Sequence, residues 1–246
     1  MNNEINICVL IPTYNNSGTV AQVIADVQQF TNNIIVVNDG STDNTKRILA
    51  DISDITVMNF AQNQGKGKAL REGFKRATEL GFTHAITLDS DGQHKASDLP
   101  IFFSTIAQKP NALFIGARNM NQENVPGTSS FGHKFSNFWF KFETGIDAPD
   151  TQSGYRAYPI YLLKNTRFFT TKYEFEIEVI VRAAWKKIPI EFLPINVYYP
   201  PQEERISHFR KVPDFTRISI LNTLLVTFAI LYFKPKKFIE NLFAKH

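Results

Sequence analysis

Two hydrophobic periods take turns along the first half of the chain. Residues 5–11 form an apolar run of strand length, and 34–37, 55–60, 85–88 and 112–116 repeat that signature. Segments of helical spacing lie between them. Residues 19–30 set Val20, Val23, Ile24 and Val27 on one face, with Thr19 and Gln22 at capping-box spacing. Residues 43–52, 66–80 and 98–108 read as further helices, the second with Ala69, Leu70, Phe74 and Ala77 on its inner face. This β-α-β-α order predicts an α/β fold with a mainly parallel sheet, right-handed crossovers and helices on both faces. Ligands of such sheets bind outside the carboxyl ends of the strands. The loops 12–17, 38–43 and 89–94 all follow strands and are expected to meet at one edge.

The second half is less regular. Residues 128–142 are an aromatic helical stretch, 173–187 a helix with three glutamates, 190–199 a strand and 200–204 a Pro-Pro-Gln-Glu-Glu loop, before an apolar run at 218–233. No internal repeat or low-complexity linker breaks the chain.

Composition adds three limits. With 246 residues, 43% hydrophobic and 20% charged, the chain can bury a core and is not of disordered type. Its one cysteine, Cys8, excludes a disulfide framework and is expected as a buried, inert thiol. No secretory leader is legible, so a cytoplasmic location is expected. The net charge of +4 is uneven: residues 205–246 carry +6 and the remainder −2. A basic segment that is also apolar suits an anionic membrane surface better than nucleic acid, whose binders space aromatics as stacking platforms.

The densest chemistry is Asp89-Ser90-Asp91-Gly92-Gln93-His94, directly after the fourth apolar run. Alternate side chains of a strand point the same way, so Asp89 and Asp91 should converge at its end. Two hard oxygen ligands there suit Mg²⁺ or Mn²⁺, which bind through carboxylates plus substrate phosphates. An acidic turn that only shapes the loop is the structural alternative.

Three strand-end loops, Ile11-Pro-Thr-Tyr-Asn15, Asn38-Asp-Gly-Ser-Thr-Asp43 and Asp89 to His94, together resemble family 2 inverting glycosyltransferases of the GT-A type. Gly116-Ala-Arg118, Asp150-Thr-Gln-Ser-Gly-Tyr-Arg-Ala157, Phe175-Glu-Ile-Glu178 and Ile190-Glu-Phe-Leu-Pro194 resemble the dolichyl- and polyprenyl-phosphate sugar synthases within it. The resemblance spans roughly residues 5–210 and implies a Rossmann-like GT-A domain at 1–210. A basic, apolar helical segment then occupies 211–246. It further implies a nucleotide-sugar donor, a divalent cation and inversion at the anomeric carbon. By position, Pro12, Tyr14, Asn16 and Asp39 fall in the nucleoside pocket, and Asp89, Asp91 and Gln93 around metal and diphosphate. Arg118 and Gln152 fall among the nucleotide-sugar contacts, Arg118 meeting phosphate near the acceptor side and Gln152 bonding either the sugar or its own loop backbone, while Arg156, Arg205 and Arg210 would meet an acceptor or its phosphate. Asn16 replaces the family's frequent Glu and Asn38 its usual Asp, which leaves uridine and guanosine donors both open. The Gln-x-x-Arg-Trp motif of processive polysaccharide synthases is absent.

A cation bridging the diphosphate stabilises the charge that develops as the glycosidic bond breaks. Asp91 is the first choice for direct coordination. Asp39 is either an ordinary turn residue or a carboxylate that accepts N–H groups of a base. Tyr14 is either a wall residue or a stacking surface. On the helix 173–187, Glu174 and Glu178 share one face and Glu176 lies on another. Glu178, if it faces the cleft, is a candidate general base for a hydroxyl acceptor; a phosphate acceptor is already ionised and needs cations instead. Arg205, Arg210 and Lys211 flank Ser207-His208-Phe209 as a candidate basic loop beside the donor.

The apolar run 218–233 measures about 24 Å as a helix, short of the roughly 30 Å hydrocarbon core of a bilayer. Ser219, Thr223 and Thr227 form a polar stripe on it. Such a helix is expected to lie in a membrane interface or pack on the domain, followed by Lys234, Lys236 and Lys237 among headgroups and a second apolar face of Phe238, Ile239, Leu242 and Phe243. These readings combine into one expectation. A peripheral enzyme on the inner face of the cytoplasmic membrane transfers one sugar to a polyprenyl phosphate or another lipid-linked acceptor. Two alternatives stand beside it: transfer to a saccharide hydroxyl in cell-surface glycan synthesis, and a non-catalytic nucleotide-binding domain recruited to membranes.

Overall fold

The computed structural model describes residues 4–119, 127–198 and 210–235. Seven strands form one sheet in the order β3-β2-β1-β4-β6-β5-β7. They are β1 (Ile7–Thr13), β2 (Ile34–Asn38), β3 (Thr56–Asn59), β4 (His84–Thr87), β5 (Leu113–Arg118), β6 (Arg156–Pro159) and β7 (Ile190–Ile195). Neighbours run parallel except at β6, which pairs antiparallel with β4 and β5. The expected α/β architecture is therefore present, with a reversed strand that periodicity did not reveal. Arg-Ala-Tyr-Pro offers four residues, one of them charged, and no alternation.

Helices α1 (Val20–Gln28), α2 (Thr45–Ala50), α3 (Lys66–Glu79) and α4 (Leu99–Gln108, entered through a 3₁₀ turn) cross between strands. Helices α5 (Gly127–Thr144), α6 (Ile160–Leu163), α7 (Phe175–Trp185) and α8 (Lys211–Phe228) follow. Both faces of the sheet are covered. Val9, Ile11, Val36 and Phe114 pack with α1, α2 and α4, while Cys8, Leu10, Val37 and Leu113 pack with α3, α6 and α7. Each large aliphatic or aromatic side chain so buried contributes about 1.5–3 kcal/mol. Burial pushes the Cys8 thiol up to about 12, so it stays protonated.

The capping box expected at α1 does not form. Thr19 donates its hydroxyl to the Ser90 carbonyl (2.6 Å) and makes no side-chain cap, so the residue ties α1 to the acidic loop instead.

The C-terminal helix also differs from expectation. It begins before residue 218 and continues past Phe228 as a π-helical segment, Ala229–Phe233. Its apolar window, Val212–Phe233, is 22 residues, about 33 Å at 1.5 Å per residue, long and apolar enough to cross a membrane. The polar stripe is internally satisfied, because Ser219, Thr223 and Thr227 each donate to the carbonyl four residues earlier. One side packs on α5 and α7 through Leu221 and Leu225, and Trp185 stacks on Phe233 at 4.0 Å. The other side exposes Ile220, Leu224, Phe228 and Leu231. Lys236, Lys237 and the apolar face 238–243 lie outside the described residues.

Candidate active site

The ends of β1 and β2 are in register, Thr13 beside Asn38, and Leu10 of β1 lies beside Thr87 at the end of β4. The three expected loops therefore converge, and side chains stitch them together. Asn15, in the left-handed region at φ +51°, accepts the Thr42 N–H (2.8 Å). Asn16 is buried; it donates from its backbone to Thr45 Oγ1 (3.1 Å) and from its amide to Ser90 Oγ (2.7 Å). Asp39 accepts the backbone N–H groups of Gln64 (2.7 Å) and Gly65 (2.8 Å), one on each oxygen, and so fixes the turn that opens α3. Gly40 must be glycine: it sits at φ +68°, and a Cβ would lie 2.2 Å from the Gln62 carbonyl carbon.

These loops wall a cleft of about 610 Å³. Pro12, Tyr14, Asn16 and Asp39 line it together with Asp89, Asp91 and Gln93. Lys66, Lys172 and Tyr173 complete the opposite wall, with Arg210 and Asp214 at the start of α8. The electrostatic centre is Lys66. Its Nζ lies 2.8 Å from Asp89 Oδ1 and 3.0 Å from Glu176 Oε2. Burial disfavours the ammonium, but the two carboxylates outweigh it and raise the lysine's pKa. Asp89, despite burial, is held below the usual carboxylate range by Lys66. Asp91 is pushed up to about 6, by burial first and then by the charge of Asp89. Burial pushes His94 down to about 4 and keeps it neutral.

No group of three His, Cys, Asp or Glu side chains gathers among the described residues. The donors nevertheless fit a hard divalent cation of the kind that binds through one or two carboxylates and substrate phosphates. Asp89 and Asp91 are hard oxygen donors at a cleft wall, and Asp91 makes no direct ion pair among the described residues. The backbone N–H of Gln93 donates to Asp91 Oδ1 (3.0 Å), which orients that carboxylate.

Other expected site residues are placed differently. Arg118 does not line the cleft; its guanidinium makes a fork to Asp150 (2.6 and 3.1 Å), and that carboxylate is fully buried. Gln152 is exposed, near Gly132 and outside the cleft lining. Arg156 is fully buried and donates to the carbonyls of Ser153 (2.6 Å), Glu176 (2.5 Å) and Thr151 (2.9 Å). Its donors knot the chain between β6 and α7, so the expected phosphate contact is corrected to a structural one. Glu178 is corrected likewise. It is 1% exposed and accepts the N–H groups of Phe169 (3.1 Å) and Thr170 (2.9 Å), the Thr170 hydroxyl (2.6 Å) and Arg182 Nε (2.8 Å). The glutamate that approaches the cleft is Glu176, and it stands behind Lys66. Arg210 does line the cleft, with Asp214 accepting its backbone N–H (2.7 Å). Arg205 and the segment 207–209 lie outside the described residues.

Lys66 and Gly154 were missed. Gly65-Lys66-Gly67, opening a helix at the end of the loop that follows β3, was a legible signal for the first, since helix N-termini in such loops receive anions. Gly154 is explained only in three dimensions: a Cβ there would lie 2.5 Å from Asp89 Oδ2 and 3.0 Å from Lys66 Nζ.

Known proteins share the sequence family and the fold of this chain. The sequence model of the family described as Glycosyl transferase family 2 matches residues 8–166. A UDP-N-acetylglucosamine–dolichyl-phosphate N-acetylglucosaminyltransferase of Methanococcus voltae is 30% identical over 215 residues, 78% of this chain and 86% of that protein. The dolichyl-phosphate β-glucosyltransferase of Saccharomyces cerevisiae is 30% identical over 229 residues, 78% of this chain and 67% of that one. Among solved structures, the Mycobacterium tuberculosis glucosyl-3-phosphoglycerate synthase in complex with Mn²⁺, UDP-glucose and phosphoglyceric acid shares the fold. Its TM-score is 0.64 at 16% identity, covering 92% of this chain and 79% of that one.

Proposed function

From the premise that the chain belongs to glycosyl transferase family 2 and is a glycosyltransferase, we propose that it moves one sugar from a nucleotide-diphosphate donor to a polyprenyl phosphate, inverting the anomeric carbon. The similarity to dolichyl-phosphate sugar transferases supports the acceptor class. The observation that carries the reading is the placement of acids and bases in the cleft. No glutamate of α7 lines it among the described residues, and Asp214, the acid beyond the strand-end loops, is already held by Arg217 (2.9 Å) and the Arg210 N–H (2.7 Å), while Lys66, Lys172 and Arg210 line it as cations. A phosphate acceptor is ionised at neutral pH, with a second pKa near about 6, and needs cationic positioning rather than deprotonation.

In this reading Pro12, Tyr14 and Asp39 receive the nucleoside, and Asp89, Asp91 and Gln93 would hold Mg²⁺ or Mn²⁺ against the diphosphate. When bound, the cation supplies Lewis-acid stabilisation of the leaving group. The acceptor's phosphate oxygen attacks C1 from the face opposite the diphosphate. The new C1–O bond forms as the old one breaks, and the nucleoside diphosphate leaves. Lys66, held between Asp89 and Glu176, places positive charge beside the developing negative charge. Lys172 and Arg210 orient phosphate oxygens.

Residues 1–210 form the catalytic unit in this account, and 211–246 attach it to the cytoplasmic face of a membrane. The exposed apolar side of α8, followed by lysines, supports that attachment. The test is transfer from radiolabelled UDP- and GDP-sugars to undecaprenyl phosphate, with Mn²⁺ or with chelator, using a free saccharide as competing acceptor. Label entering only the saccharide would overturn the acceptor assignment; transfer undiminished by chelator would overturn the cation.

A further inference from the structure

A second cavity, of about 730 Å³, opens between α3, α6 and the loop that follows α6, and it shares no lining residue with the cleft. Its size falls within the range of small-molecule sites. The floor is apolar, built on the buried side chains of Phe74 and Leu163. The rim is cationic. Lys75, Lys164 and Arg167 line it without a hydrogen-bond or ion-pair partner among the described residues. The one acid in the lining, Glu79, is already paired with Arg76 (3.3 Å). Thr166 adds a buried hydroxyl that has no partner. Phe169 stands at the mouth, 74% exposed.

Exposed cations with no local anion around one opening attract a single anion, and the Phe169 ring, though it lies under the Arg182 guanidinium at 4.8 Å, still leaves 74% of the residue exposed at a cost in hydration free energy. A single ligand relieves both when it carries an anionic head and an apolar body. We propose that this cavity binds an amphiphilic phosphate, with the head among Lys75, Lys164 and Arg167 and the chain over Phe74, Leu163 and Phe169. A lipid headgroup and free phosphate share the head chemistry, but only the lipid uses the floor.

The full-length Phe169→Trp variant places an indole at the mouth. Its fluorescence, corrected for Trp139 and Trp185 with the unsubstituted protein, is titrated with dodecyl phosphate below its micelle concentration, with dodecyl maltoside and with inorganic phosphate. A saturable blue shift is expected with dodecyl phosphate, at an affinity at least tenfold tighter than for either other probe. Adding Lys164→Glu and Arg167→Glu should weaken it at least tenfold while nucleotide binding in the cleft stays unchanged. Calorimetry with dodecyl phosphate on the unsubstituted protein, where binding at a similar affinity is expected, checks that the tryptophan did not create the site; no binding there overturns the proposal. An equal response to dodecyl maltoside would reduce the cavity to an apolar hole. An equal response to inorganic phosphate would reduce it to a bare anion site. Indifference to charge reversal would remove the rim from the account, and each of these three results overturns the proposal.

Discussion

Glu178→Ala separates a catalytic glutamate from a structural one. The wild-type carboxylate is buried and serves two backbone N–H groups, one hydroxyl and Arg182. Truncation leaves the Arg182 guanidinium without its anion and the Phe169 and Thr170 N–H groups without an acceptor. Breaking a buried pair by removing one partner costs about 3–5 kcal/mol. For a protein of this size that is a fall in melting temperature of roughly 6–20 °C, at about 2–4 °C per kcal/mol. Glu178→Gln keeps the shape but turns amide N–H groups toward backbone N–H groups, and should lose about 2–3 kcal/mol. Urea unfolding measures both losses. Sugar transfer, assayed at low temperature where the variants remain folded, should fall by less than about tenfold, whereas removing a general base costs about 10²–10⁴. A Glu178→Gln protein with the wild-type urea midpoint and transfer lost by more than about 10² would refute the reasoning.

Four further outcomes follow from the geometry. Asp91→Ala should reduce transfer by about 10³ or more, as loss of a transition-state electrostatic group does, while the urea midpoint holds or rises because a carboxylate crowded by Asp89 is gone. Gly154→Ala should slow transfer with little loss of stability, since the new methyl meets the ends of Asp89 and Lys66 rather than backbone; a rate equal to wild type would count against Asp89 as a positioned group. Gly40→Ala should instead destabilise strongly, because its clash is with the Gln62 backbone, and the urea midpoint reports this. The Glu143 carboxyl is buried without a hydrogen-bond partner among the described residues, and burial pushes it up to about 8 from 4.5. The folded state therefore binds a proton that the unfolded state has released between those values, and stability falls as pH rises through that window. Glu143→Gln should flatten this slope and raise the melting temperature at pH 8, which a thermal scan at pH 5 and pH 8 would check.

The part of the cleft built on strand ends was legible because its information is local. Each of its loops follows a recognisable strand, and residues at strand ends need no long-range contact to be placed at the sheet edge. Asp89, Asp91, Asp39 and Tyr14 all reach the cleft for that reason. The placement of the second-half residues depends on contacts between distant segments. Whether Arg156 meets a ligand or three carbonyls depends on where Glu176 and Thr151 lie, and no periodicity encodes that. The α7 glutamates show the same limit. Helical phase separates Glu176 from Glu178 correctly, but only packing against Lys66 and the 169–170 loop determines which one faces the cleft. For the C-terminal helix, hydropathy found the segment and the stripe of hydroxyls lies largely on an exposed edge, but that each hydroxyl also bonds to its own backbone was not legible.

The reversed strand β6 has a consequence for the order in which this enzyme acquires its competence. Strands β1, β2 and β3 pair through single crossovers and can pair early, whereas β4 reaches β1 only across 77 residues of chain and Thr87 meets the Gly154 carbonyl across 67. Closing either span costs more entropy than the crossovers among β1, β2 and β3, and contacts of such separation slow folding. The Asp89 carboxylate thus meets Lys66 only once β4 has joined the sheet, and Gly154 only when β6 joins in turn. Pulse-labelled hydrogen exchange should find the β1 amides protected ahead of those of β6, with catalytic capability arriving only on the later phase.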